Sequence, residues 1–173
     1  MVTVKRLPLT LILIIHVSAI IFGQQIEENF YIHDNENTFY LQMKISEVYE
    51  ILGNPKRIQK EKHPRFTFNI VSLEYQGICF EYFDFYEDPQ VLTIIFTGAC
   101  KNYQIGNKNV IGLDMTEIKK EYGNKYYIRT NEEYIYYRYE FNISNIHHFE
   151  LQFRFNSLDV CDEAQIIHSL FFI

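Results

Sequence analysis

The sequence lacks the short motifs that mark most metal sites and nucleophilic enzymes. It contains no C-x-x-C, no H-x-x-x-H and no G-x-S-x-G, and its 7 glycines form no phosphate-binding loop. A metal site needs several ligands at one point, whereas the adjacent His147 and His148 are expected to face opposite sides of a strand. We therefore expect no metal, no cofactor and no enzymatic activity.

Positive charge is also scarce. The chain has 16 Lys and Arg residues against 22 Asp and Glu residues, a formal net charge of −6. This balance argues against nucleic acid and anionic membrane surfaces as partners, and it is compatible with a basic protein partner. The basic residues of segment 56–65 are predicted to form a solvated loop.

The first 23 residues have the composition of a secretory signal peptide. Lys5 and Arg6 precede an apolar run over 7–22, and Gly23 offers a small residue for cleavage. The run is short for a membrane-spanning helix, which needs about 20 residues, so we favour cleavage over a retained anchor. The sequence thus predicts a secreted or periplasmic protein with no stable membrane insertion after cleavage.

A short amphipathic helix pattern occurs twice, at 43–54 and at 113–124, which are 70 positions apart (113 − 43 = 70). In each copy apolar residues recur at helical spacing. Gly53 and Gly123 are expected to end the helices in a left-handed conformation, and Asp114 is the expected N-cap of the second helix. Helices this short need a sheet to cover. The matched register of the two copies favours internal duplication over chance.

Apolar and polar residues alternate after each helix, which predicts antiparallel strands. The expected strands are 38–41, 66–75, 78–86, 91–98, 126–129, 134–143, 149–155 and 164–173. The predicted fold is therefore α+β, with two tandem repeats of a short helix followed by antiparallel strands, and with the helices packed on one face of the sheet. The predicted division of the chain is a signal peptide at 1–23, a flexible lead-in at 24–37, and a single domain at 38–173 built from repeats 38–102 and 103–173.

The turn at 87–90 suggests a register for the hairpin around it. If the turn is centred between Pro89 and Gln90, paired positions sum to 179 (89 + 90 = 179), and Cys79 faces Cys100. In an oxidising compartment this pairing predicts a Cys79–Cys100 disulfide. Cys161 is then expected to be a small buried hydrophobic residue rather than a reactive thiol.

Aromatic residues crowd the second half of the chain. In the strand over 134–143, the alternation of side chains predicts that Tyr134, Tyr136 and Arg138 share the outward face. Tyr and Arg are enriched in protein-binding hot spots, so these three residues are the candidate binding site. The alternative is that the rings are covered by the helices or by the other repeat.

With both halves laid out, the pattern resembles two related families, the β-lactamase inhibitory protein and the small outer-membrane lipoprotein of the β-barrel assembly machinery. Their shared signature is a G-x-T/D start, a hydrophobic helix, and L-G-x-P before a sheet. Segments 112–114 and 52–55 carry parts of it. The departures are Gln42 and Lys44 in the first copy, Tyr122 and Lys125 in the second, and the absence of a lipid-bearing cysteine. The resemblance implies a two-repeat α+β domain that binds proteins, and it transfers no functional residue.

The sequence therefore predicts a secreted or periplasmic, non-enzymatic protein-binding domain, which would be inhibitor-like or envelope-assembly-like. The alternative is a small-molecule or lipid carrier with an aromatic-lined cavity between the sheet and the helices. A hydrolase is the least favoured class, because no catalytic constellation supports it.

Overall fold

The computed structural model describes residues 31–99, 103–130, 134–142 and 147–170. The predicted signal peptide, the first part of the lead-in and Cys100 lie outside these residues. In chain order the elements are β1 (Tyr31–His33), β2 (Thr38–Tyr40), α1 (Ile45–Leu52), β3 (Arg57–Lys62), β4 (Asn69–Glu74), β5 (Ile78–Phe83), β6 (Thr93–Thr97), β7 (Gln104–Ile105), α2 (Met115–Tyr122), β8 (Tyr127–Thr130), β9 (Ile135–Asn142), β10 (His147–Phe155) and β11 (Cys161–Leu170).

Eight of the strands form one antiparallel sheet in the order β3-β4-β5-β6-β11-β10-β9-β8. The strands that follow α1 therefore occupy one half of the sheet, and those that follow α2 occupy the other. β6 and β11 join the halves, with Ile95 opposite Gln165, while β3 and β8 form the edges. The predicted α+β class is confirmed. Neither helix within the described residues is long and apolar enough to cross a membrane.

A second, three-stranded sheet has the order β2-β1-β7. Its side chains Ile32, Phe39 and Ile105 are buried, and the Phe39 ring lies 5.2 Å from the Phe80 ring of β5. β1 falls within the segment predicted as a flexible lead-in. It forms a strand there because Ile32 is fully buried and its backbone pairs with both β2 and β7.

Both helices occur where the sequence predicts them. α2 begins with a capping box, in which the Asp114 carboxylate accepts from Glu117 N (2.9 Å) and the Glu117 carboxylate accepts from Asp114 N (3.1 Å). The N-cap prediction for Asp114 is therefore confirmed. Each helix ends at a glycine of positive φ, 70° at Gly53 and 90° at Gly123. Their ψ angles of −150° and −171° differ from the expected left-handed values and belong to a region that is essentially restricted to glycine.

A tyrosine hydrogen bond fixes the end of each helix to the sheet. The Tyr75 hydroxyl donates to the Gly53 carbonyl (3.0 Å), and the Tyr139 hydroxyl donates to the Gly123 carbonyl (3.2 Å). The Tyr75 ring contacts Phe80 at a centroid distance of 6.0 Å, and the Tyr139 ring contacts Phe153 at 5.9 Å. Both phenylalanines are fully buried. These bonds satisfy helix-end carbonyls that would otherwise need water.

One hydrophobic cluster contains side chains from both sheets and both helices. Representative members are Ile32, Phe39, Val48, Phe80, Ile94, Ile118, Leu151, Phe153 and Ile166. In β10, Leu151, Phe153 and Phe155 are buried as the alternation predicts. Because side chains alternate along the strand, Gln152 and Arg154 point to the opposite side, which is the outward direction that the sequence predicts.

The segment predicted as a basic loop is instead the edge strand β3. Its residues Arg57–Lys62 pair with β4, and only Gln59 among them is half-buried, the others being exposed. The prediction is wrong here because a charged edge strand does not show the apolar alternation that identifies strands. The lysines on this edge also discourage pairing with other chains.

The predicted register of the β5–β6 hairpin is also wrong. Cys79 lies opposite Ile95 rather than Cys100, a shift of five positions. The connection is not a simple turn. Val91 N donates to the Met43 carbonyl (2.8 Å), so the backbone pairs here with the segment before α1 instead of with β5. The structure describes two cysteines, Cys79 and the buried Cys161, and no disulfide joins them. Because Cys100 lies outside the described residues, the Cys79–Cys100 disulfide stays a prediction.

Candidate functional site

The predicted site residues lie on the sheet face that points away from the buried side chains. Because side chains alternate along a strand, Tyr136 and Arg138 point away from the side occupied by the buried Tyr139. Arg138 lies opposite Tyr127 of β8 and Gln152 of β10, and Tyr136 lies opposite Arg129 and Arg154. We call this surface the outer face, and its residues on β8–β11 are Tyr127, Arg129, Tyr136, Arg138, Glu140, Glu150, Gln152, Arg154, Glu163, Gln165 and Ile167.

Two of the predicted residues contact each other. Tyr134 immediately precedes β9, and its ring lies edge-on to Tyr136 at a centroid distance of 6.4 Å. The guanidinium carbon of Arg154 lies 4.4 Å from the centre of the Tyr134 ring, which is cation–π geometry. Both tyrosines are half-buried, so part of each side chain is accessible at the surface.

Arg138 belongs to a neighbouring group of contacts. Its guanidinium lies 2.8 Å from the Glu140 carboxylate and 3.7 Å from that of Glu150. It also lies 5.5 Å from the centre of the Tyr127 ring. Ion pairs at this exposure contribute little to stability. The structure therefore arranges the site as two adjacent Tyr–Arg pairs, Tyr134–Arg154 and Tyr127–Arg138.

Arg154 is the residue that positions Tyr134, and the sequence analysis did not assign it to the site. It contacts Asp162 (2.8 Å) and Glu163 (2.9 Å), which a β-bulge in β11 brings to the same side. Burial lowers the pKa of Arg154, but the Asp162 hydrogen bond and the attraction of both carboxylates raise it further, so the net shift is upward. The guanidinium is thus held charged beneath the Tyr134 ring. Alternation alone places Arg154 outward, but only the cross-strand register places it beside Tyr136.

The outer face continues onto the other half of the sheet, where Glu81 is its most buried carboxyl with a shifted pKa. Desolvation by burial raises the pKa of Glu81, and hydrogen bonds from Ser72 (3.1 Å) and Thr93 offset part of that shift. The carboxyl is therefore harder to ionise in the folded protein than in the unfolded chain.

Replacing Glu81 by glutamine should increase the free energy of unfolding at pH 7. Because the pKa of Glu81 is higher in the folded protein, the native state binds the proton more tightly than the unfolded chain does. The resulting contribution to the free energy of unfolding is fully present below the unfolded pKa of about 4.3. It is lost as the pH rises through the folded pKa. The gain from Glu81→Gln should therefore be present at pH 7 and disappear toward pH 4. Urea unfolding of both proteins at the two pH values measures it, and an equal effect at both would contradict the assignment.

A pocket of about 440 Å³ opens where β5 ends and the chain approaches β6. Its described lining is Gln42, Phe83, Tyr86, Glu87, Asp88, Gln90 and Leu92. Phe83 lies on the outer face, because it follows Cys79 and Glu81 at a period of two on β5. The sequence analysis treated segment 87–90 only as a turn and assigned no site to it.

The chemistry of the two described thiols, Cys79 and Cys161, does not favour either as a nucleophile. Burial raises the pKa of Cys79 and of Cys161 to about 12, with neighbouring carboxylates adding to the shift at both sites. Both thiols are therefore protonated near neutral pH, whereas the nucleophile is the thiolate. In the part of the chain that the structure describes, no group of three or more His, Cys, Asp and Glu side chains is placed to hold a metal ion.

The outer face is thus a polar and aromatic surface of an antiparallel sheet, and its residue Phe83 also lines a small pocket. Comparison with protein-family models, with curated proteins and with solved structures gave no match. The resemblance to two-repeat binding proteins stays a prediction, and the geometry of the outer face is what bears on function.

Proposed function

We propose that this chain is a secreted or periplasmic, non-enzymatic domain that binds another protein through the outer face of its sheet, centred on Tyr134, Tyr136 and Arg138. The observation that supports the proposal is the pair of Tyr–Arg contacts on the outer face, Tyr127–Arg138 and Tyr134–Arg154. Tyr127 is exposed, and the other three side chains are half-buried. Tyr, Trp and Arg are the residues that most often dominate binding energy. The net charge of −6 favours a basic partner.

Regular strands hold these side chains, which suits recognition. β9 lies between β8 and β10, so its backbone is hydrogen-bonded on both sides. Tyr134 is confined by Arg154, and Arg138 by Glu140 and Glu150. Side chains that are already ordered lose less conformational entropy when a partner docks, so the surface is suited to binding without rearrangement.

We also propose that the chain contains two copies of one unit, each a helix followed by four strands. Several backbone contacts support this, because they recur after a shift of 70 residues. The bridge Lys44–Gln90 corresponds to Asp114–Val160 (44 + 70 = 114, 90 + 70 = 160). The bond from Gln42 N to Val91 O likewise corresponds to that from Gly112 N to Cys161 O. Gln42 and Gly112 also share a positive φ, so the first copy keeps the glycine-like turn without its glycine.

In this proposal both helices cover the face opposite the outer face. Tyr122 of α2 contributes the clearest contacts, with its ring 5.7 Å from Tyr139 and 5.0 Å from Phe153. The end of α1 approaches the corresponding side of the other half through the Tyr75–Gly53 hydrogen bond. An antiparallel sheet covered on one face leaves the other for solvent or for a partner.

Alanine at Tyr134, Tyr136 and Arg138 together should weaken partner binding by about tenfold or more, because the variant removes two aromatic contacts and one cation from the centre of the surface. The purified protein and the variant are used for affinity capture from the native envelope. The captured partner is identified by mass spectrometry, and its affinity for each protein is measured by calorimetry.

A matched control replaces Glu50, Lys120 and Leu158 by alanine, since these exposed residues lie outside the outer face. The control should bind the partner like the unmodified protein. Unchanged binding by the folded Tyr134/Tyr136/Arg138 variant would rule out this site. A co-purified ligand in native mass spectrometry, with no specific protein captured, would instead support the carrier function.

A further inference from the structure

We propose that the pocket lined by Phe83, Tyr86 and Glu87 receives a basic side chain, arginine or lysine, of the partner protein. This inference rests on the proposed function, because it assigns the chemistry of the partner at a pocket that Phe83 of the outer face lines. The pocket is a separate feature from the Tyr134, Tyr136 and Arg138 site, which lies on the other half of the sheet.

The lining of the pocket matches a long cationic side chain. Phe83, Tyr86 and Leu92 supply apolar surface, while Glu87 and Asp88 supply carboxylates. The remaining described lining residues are the neutral amides of Gln42 and Gln90, so no Lys or Arg is among them. An apolar ligand would leave carboxylates without compensation, and an anion would be repelled. A cation on an aliphatic stem can pack its stem against the apolar side chains and place its charge next to the carboxylates.

The local charge balance leaves one carboxylate available. Lys44 lies 2.8 Å from Asp88, and the Ser46 hydroxyl donates to the same carboxylate (3.3 Å). The hydrogen bond from Lys44 lowers the pKa of Asp88, so this carboxylate is ionised and already paired. Among the described residues no ion pair involves Glu87. A cation that enters the pocket therefore meets a net negative charge rather than a neutralised pair.

The aromatic side of the pocket is held in place before binding. The Tyr86 side chain is 62% exposed, and its ring lies 3.8 Å, centroid to centroid, from that of Phe85. Phe83 contacts Phe85 at 6.3 Å and Phe68 at 4.6 Å. A guanidinium can stack on such a ring while its edge bonds a carboxylate, and an ammonium can approach the ring face. This geometry explains why an exposed aromatic residue lies next to an acidic turn.

The test is a ¹⁵N NMR titration of the purified protein with Nα-acetyl-arginine amide, using Nα-acetyl-citrulline amide as a neutral ligand of nearly the same shape. The arginine probe should shift the amide signals of Tyr86, Glu87 and Gln90 and bind about tenfold or more tightly than the citrulline probe. Glu87→Gln and Tyr86→Ala should each weaken binding of the arginine probe about threefold or more. Glu50→Gln, which removes an exposed carboxylate elsewhere, should leave it unchanged.

Equal binding of the two probes, or shifts confined to another surface, would overturn the inference. Tighter binding of tetramethylammonium than of the arginine probe would also overturn it, because the pocket would then take a free small cation. The two proposals fail separately. If the pocket does not bind the arginine probe but the Tyr134/Tyr136/Arg138 variant loses its partner, only the pocket inference falls. If the probe binds and that variant keeps its partner, the assignment of Tyr134, Tyr136 and Arg138 falls.

Discussion

Replacing Phe153 by alanine should lower the free energy of unfolding by about 3–5 kcal/mol. The ring is fully buried on β10, beneath Tyr122 of α2 and beside Tyr139 of β9. Its removal would leave a cavity between the helix and the sheet, and an eight-residue helix has little stability of its own with which to compensate. Urea unfolding monitored by far-UV circular dichroism measures the loss.

Leu158→Ala is the control, because that side chain is 78% exposed and its removal should change stability by less than about 0.5 kcal/mol. Phe80→Ala should resemble Phe153→Ala, since Phe80 is also fully buried and contacts a tyrosine that bonds a helix end. A loss below about 1.5 kcal/mol for Phe153→Ala would contradict the packing of α2 against this part of the sheet.

Replacing Gly123 or Gly53 by alanine should cost about 1–3 kcal/mol, although each site has room for a methyl group. Apart from the glycine itself and its chain neighbours, no heavy atom of the described residues lies within 4 Å of the position that a Cβ would occupy at either glycine. The cost comes from the backbone, because a positive φ combined with a ψ near −150° to −171° is nearly inaccessible to alanine. Thermal and urea unfolding of each variant would measure the effect.

Gly98→Ala separates this backbone effect from steric effects. Gly98 has no positive φ, and its Cβ would lie 3.4 Å from Ile111 Cγ2. Its replacement should therefore change stability by less than about 1 kcal/mol, since the unfolded chain also loses entropy. Similar costs for Gly98→Ala and Gly123→Ala would show that the helix-end conformation is not the source of the penalty.

Local patterns in the sequence were sufficient to predict the helices and most of the sheet. Apolar periodicity located both helices, and Asp114 marked the start of α2 because its side chain can cap the first turn. Alternation located the strongly patterned strands such as β10. It missed β3, which is charged and exposed, and β7, which has only two residues. In both, neighbouring strands determine the structure more than the local sequence does.

From the sequence, the candidate site could be predicted only within the single strand β9. Alternation placed Tyr136 and Arg138 on a common face, but the contribution of Arg154 depends on the pairing of β9 with β10. The pocket at Phe83 depends on the path of 84–92, which the turn residues alone did not specify. The backbone bonds of Val91 to Met43 and Gln42 redirect that path, and such long-range bonds leave no local signal in the sequence.

The join between β6 and β11 has a form of symmetry that bears on how such a sheet could arise. Thr97 lies opposite Glu163, and Thr93 lies opposite Ile167. A shift of 70 residues takes Thr93 to Glu163 and Thr97 to Ile167 (93 + 70 = 163, 97 + 70 = 167), so each pair is converted into the other. Ile95 and Gln165 lie at the centre of this exchange. A contact that maps onto itself when its partners are exchanged is isologous, as in a twofold homodimer. Under the duplication proposed above, a single four-stranded half would pair with a second copy of itself in the same register.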